Sequence, residues 1–133
     1  MSIAEDMCAI TLNHAGERLR YFARTDPDDG DRDEVEVLHL RDDLDWTDRR
    51  QREVESELLE LVASESYEQL MGADNVNQII KVADTKILFT GFVDDEVVVA
   101  AFKRGILPVL PTVVDDFREY MSERDVSFIS LDA

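Results

Sequence analysis

The chain has 133 residues and a mass of 15.2 kDa, room for one ordinary domain, and its 44% hydrophobic content excludes a disordered acidic tail. Its 31 Asp and Glu against 14 Lys and Arg give a formal charge of −17, which excludes binding to a bare phosphate backbone without a dedicated basic patch. No apolar run reaches the roughly 18 residues of a membrane span, and the single cysteine, Cys8, excludes an internal disulfide.

Taken in chain order, Ser2 and Glu5 have the spacing of a capping box. Ile3, Met7, Ile10 and His14 then recur on one helical face, and Gly16 stands where a helix terminator belongs. From Arg18 to Arg24 basic and apolar residues alternate, apart from Phe22, which predicts a half-buried strand. The stretch from Thr25 to Glu34 holds Pro27, Gly30 and several Asp and reads as a turn, so Val35 to Leu40 completes a hairpin. A polar link from Asp42 to Trp46 leads to Thr47, the cap of a long helix reaching Met71 and ended by Gly72. Its apolar stripe is Val54, Leu58, Leu61 and Val62, closed by Leu70 and Met71.

Three more strands are predicted at Val76 to Val82, Lys86 to Val93 and Glu96 to Lys103, joined by turns at Ala83-Asp84-Thr85 and Asp94-Asp95. The run Val97-Val98-Val99-Ala100-Ala101-Phe102 has the look of a strand buried on both faces. Pro111 opens a last helix at its first position, with Val113, Val114, Phe117, Tyr120 and Met121 on the inner face. Residues 126–133 are an edge strand or an extended tail.

Helix, two strands, helix, three strands, helix predicts an α+β two-layer domain spanning residues 1–133, a five-stranded mainly antiparallel sheet with helices on one face. The order resembles roadblock/longin-like domains, with a profilin-like or PAS-like sheet as the neighbouring possibility. Roadblock-like domains are dimeric scaffolds in small-GTPase and motility regulation, so the resemblance implies a homodimeric interaction module.

The acidity has its own signature. Eleven of the basic residues are Arg and only Lys81, Lys86 and Lys103 are Lys, and the acidic residues are spread over every predicted surface. Such a charge repels itself in dilute buffer and is screened in concentrated salt, as in proteins of salt-in halophiles. The runs Leu19-Arg20-Tyr21-Phe22-Ala23-Arg24, Glu36-Val37-Leu38-His39-Leu40-Arg41-Asp42-Asp43-Leu44 and Leu110-Pro111-Thr112-Val113-Val114-Asp115-Asp116-Phe117-Arg118-Glu119-Tyr120-Met121 resemble a family of small haloarchaeal proteins of unknown function. The resemblance implies a haloarchaeal source and carries no catalytic residue. The opening Met1-Ser2-Ile3-Ala4-Glu5-Asp6 has no positive region, from which a cytoplasmic location is expected.

Motifs for common catalysis are missing. His14 and His39 have no partner at metal-ligand spacing, and the turn Asp26 to Glu34 places Thr25 and Pro27 where a calcium loop needs carboxylates. Cys8 lies beside Glu5 and Asp6, which disfavour a thiolate. No GxSxG elbow or glycine-rich phosphate loop occurs. No enzyme activity, cofactor or metal site is therefore expected, nor is direct nucleic-acid binding.

Two features have the makings of an interaction surface. Arg49, Arg50 and Arg52 open the long helix just after Trp46. They either pair along the helix, Arg49 and Arg50 with Glu53 and Arg52 with Glu55, or form a docking patch for an acidic partner or a nucleotide phosphate with Trp46 as anchor. The second feature is the apolar loop carrying Ile106, Leu107 and Val109, which either folds onto the sheet edge or meets another subunit. A homodimer formed through the Lys86–Lys103 strands or this loop is the leading expectation. A PAS-like ligand sensor, with a pocket lined by Phe22, Phe89, Phe92 and Phe102, is the alternative.

Overall fold

The computed structural model describes residues 2–25, 35–72, 77–93, 96–126 and 128–129, so the turns expected at 26–34 and 94–95, including the calcium-like loop, lie outside the described residues. Helix α1 (Ile3–Ala15) begins at the Ser2 capping box, with the Ser2 hydroxyl accepting from Glu5 N and the Glu5 carboxylate accepting from Ser2 N. Strands β1 (Leu19–Thr25) and β2 (Val35–Leu40) pair antiparallel as the hairpin predicted. Helix α2 (Asp48–Met71) starts at Thr47, whose hydroxyl accepts from Arg50 N, and stops at Gly72, whose φ of 67° is the left-handed conformation glycine adopts freely.

Strands β3 (Gln78–Val82), β4 (Ile87–Val93) and β5 (Glu96–Phe102) follow, and helix α3 (Leu110–Ser122) closes the fold with Pro111 as its second residue. The sheet is antiparallel throughout, in the order β2-β1-β5-β4-β3. The α+β class and the five antiparallel strands thus stand as predicted.

The helices do not share one face. Along β5, Val98, Ala100 and Phe102 pack with α1 and α3, while Val97, Val99 and Ala101 join Tyr21, Ala23, Leu88 and Val54 of α2 on the other side. The domain is therefore three layers, helix on sheet on helices. The alternation in β1 hid this: Arg20 and Arg24 read as a solvent face, yet the strand is only partly exposed at both and two register shifts break its period.

The α1/α3 side holds the aromatic core. Phe117 lies 6.0 Å from both Phe89 and Phe128, and Phe22 and Phe102 are buried beside them. In α1 the buried stripe is Ala4, Met7, Cys8, Thr11 and Ala15, rotated from the predicted one, so Ile3, Ile10 and His14 flank the core. Small residues let the helix approach closely, and Thr11 is satisfied by donating to Met7 O at 2.7 Å. His14 Nε2 meets Asp116 Oδ2 at 2.5 Å and Tyr120 donates to Asp6, tying α1 to α3 at two points. After α3, Asp125 turns the chain with a φ of 57°, and Gln78 Nε2 donates to Ile129 O at 2.5 Å. Of the tail, the described residues Val126, Phe128 and Ile129 form no strand, and Phe128 is buried in the core.

Candidate functional site

On its outer layer α2 meets the sheet through side chains that sequence periodicity does not mark as buried. Glu57, on the same turn as the apolar stripe, is 1% exposed; its carboxylate accepts from Thr90 Oγ1 at 3.0 Å and from Lys81 Nζ at 2.7 Å. One turn earlier Glu53 accepts from Tyr21 Oη at 2.7 Å and binds Lys86. Burial first, and then the Glu53 carboxylate, push the Tyr21 phenol far above its ordinary range, so it remains a donor. The predicted pairing of Glu53 with Arg49 and Arg50 is thus replaced by bonds into the sheet.

The three arginines separate. Arg50 is half-buried and donates to Asp45 O at 2.6 Å, while Arg49 and Arg52 are exposed. Among the described residues no carboxylate forms an ion pair with any of the three. Arg49 and Arg50 join Arg20, Thr47, Thr85 and Lys86 around an open cleft of about 300 Å³ floored by Tyr21 and Ala101, with Glu53 at its side. Arg52 does not line the cleft. Neither does Trp46, which packs edge-on against Tyr21 at 5.0 Å and donates to Gln51 Oε1 at 3.0 Å. Arg20 and Lys86 escaped sequence reasoning because they come from β1 and the β3–β4 turn, far along the chain from the cluster.

The apolar loop folds onto the molecule's own core. Ile106 is fully buried there, Val109 packs against the same cluster, and Leu107 is substantially exposed, at 42%. Strands β4 and β5 are interior to the sheet, so of the expected pairings through residues 86–103 the edge-to-edge form has no edge to use. The free edges are β2 and β3. On β3, the bonds from Ala83 N to Lys86 O and from Phe92 N to Asn77 O fix which residues face β4. By the antiparallel alternation, the N–H groups of Gln78, Ile80 and Val82 point outward. Val82 is 60% exposed at this edge, and on α2 Leu59 and Leu70 are 57% and 83% exposed. Leu70 therefore does not close the helix against the sheet as its place in the stripe predicted. The side chains of Leu58, Leu61 and Val62 lie outside the described residues.

The aromatic pocket of a PAS-like sensor is not assembled. Phe22, Phe89 and Phe102 are packed in the α1/α3 core, whereas Phe92 belongs to the α2 side, because sheet parity places it on the opposite face. Cys8 is buried, which pushes its thiol up to about 11 and leaves it an unreactive hydrophobe near neutral pH. Among the described residues no helix is long and apolar enough to cross a membrane.

No protein-family model and no curated protein matches the chain. Among solved structures it is similar to the gliding protein MglB from Thermus thermophilus, at 13% identity and a TM-score of 0.59, over 79% of this chain and 76% of that one. With the strand order and helix placement described above, the likeness gives the chain a roadblock/longin-like fold.

Proposed function

We propose that the chain is a non-enzymatic regulatory module that works as a homodimer, built through the outer edge of β3 and the exposed Leu59 and Leu70 of α2. The observation that carries this reading is the β3 edge. Among the described residues the outward backbone groups of Gln78, Ile80 and Val82 have no strand partner, and Val82 and, on α2, Leu59 and Leu70 expose apolar side chains. A helix of 24 residues is about 36 Å long at 1.5 Å per residue. An antiparallel edge is self-complementary, so a second copy related by a two-fold axis pairs β3 with β3 and joins two sheets into one. The roadblock-like fold and the gliding protein's likeness support the regulatory reading. The absence of catalytic motifs supports the non-enzymatic one.

The charge of −17 with only three lysines supports a cytoplasm of high salt as the working environment. Light scattering on a sizing column in molar potassium chloride tests the proposal. A mass near twice 15.2 kDa is expected for the wild type and a monomer for Val82→Arg. A monomeric wild type at every concentration overturns it.

A further inference from the structure

The cleft at the start of α2 is the place where this acidic molecule reverses sign. Its lining holds Arg20, Arg49, Arg50 and Lys86 against the single carboxylate of Glu53, a local balance of +3 in a chain of −17. Three of these cations, Arg20, Arg49 and Arg50, have no carboxylate partner among the described residues, while Lys86 is paired with Glu53. Arg20 spends Nη2 on Thr85 O at 3.1 Å, and its Nε is buried without an acceptor. Arg50 bonds a carbonyl rather than a carboxylate, Arg49 has no ion pair, and Lys86 shares Glu53 with the Tyr21 hydroxyl. An anion in the cleft would supply the negative charge that the three guanidiniums lack.

We propose that this cleft binds a small molecule through a diphosphate group. Charge and geometry narrow the class. A phosphate carries about −1.5 to −2 near neutral pH, so a diphosphate supplies roughly the −3 that balances the lining. Guanidinium forks from two sides and the Thr47 and Thr85 hydroxyls offer several donors to the oxygens of such a group. A volume of about 300 Å³ suits a compact ligand. The apolar floor is only Ala101 and the Tyr21 ring, and Trp46 stands outside, so nothing stacks on a base and the phosphates carry recognition.

Calorimetric titration of the full chain with inorganic pyrophosphate tests this, at the lowest potassium chloride concentration at which circular dichroism shows it folded. Saturable binding is expected, weakening as salt rises. The double substitution Arg49→Glu and Arg50→Glu should weaken it at least about tenfold, which corresponds to about 1.4 kcal/mol. Arg52→Glu, a neighbour outside the cleft, should change it less than about twofold. The proposal is overturned if pyrophosphate shows no saturable binding or if sulfate binds equally well. It fails too if Arg52→Glu weakens binding as much as the double substitution, or if an oligoglutamate peptide binds more tightly than pyrophosphate. Because Arg49 and Arg52 are exposed, their variants retain the fold, which the same dichroism spectrum verifies.

Discussion

On the α1/α3 side of the sheet, Phe22, Phe89, Phe102, Phe117 and Met121 fill a continuous apolar core. On the α2 side a smaller cluster around Val54, Tyr21 and Val99 gives way to carboxylates, Glu53 and Glu57, that reach into the sheet. The first face is made of contacts that cost nothing to desolvate and stabilise in proportion to area. On the second, each buried carboxylate must be matched by donors before it is neutral to stability. What the polar side gains is geometry: Tyr21, Thr90, Lys81 and Lys86 each fix α2 at one register over the sheet, which shapes the cleft. Aromatic burial is concentrated on one face, and the cleft lies on the other.

The largest effect expected is from Phe117→Ala, which empties the centre of the aromatic cluster and should cost about 3–5 kcal/mol in denaturant unfolding. Thr90→Val removes one donor from the buried Glu57 carboxylate and should cost about 1–3 kcal/mol by the same method. Were the two costs equal, the contrast between the faces would dissolve.

Alkaline titration sharpens the comparison with a smaller effect. Cys8 in the folded chain is raised to about 11 from an ordinary 9.0, so the unfolded chain ionises first. Its contribution is fully present below pH 9.0 and is lost as the pH rises toward about 11. Tyr21 acts in the same direction at higher pH. Cys8→Ala should flatten the fall in denaturation midpoint across the first window, and an unchanged profile would place the loss elsewhere. Smallest of all is Leu70→Asp, which should alter monomer stability by less than about 0.5 kcal/mol while dissociating the dimer.

Much of the fold was legible because local signals agree with one another. Ser2 with Glu5, Thr47 and Gly72 mark helix ends that the structure reproduces, and the six residues of β2 match their apolar run. The side on which α2 lies was not legible, since β4 and β5 are buried on both faces and offer a helix no preference. The burial of Glu57 left no sequence signal, because its partners, Thr90 and Lys81, are distant in sequence. Arg49 and Arg50 stood out as basic residues in an acidic chain, yet what makes them a site is Arg20 and Lys86, brought to them by the sheet. Ile106 and Leu107 looked equivalent in an apolar loop, and only packing decides that one is core and the other surface.

Hydrogen exchange of the β3 amides, read by NMR in molar potassium chloride across a dilution series, tests the dimer most directly. The N–H groups of Ile80 and Val82 should be protected in concentrated solution and exchange freely on dilution, while Ile79 and Lys81, bonded to β4, stay protected throughout. Free exchange of Ile80 and Val82 at every concentration would contradict the proposed interface.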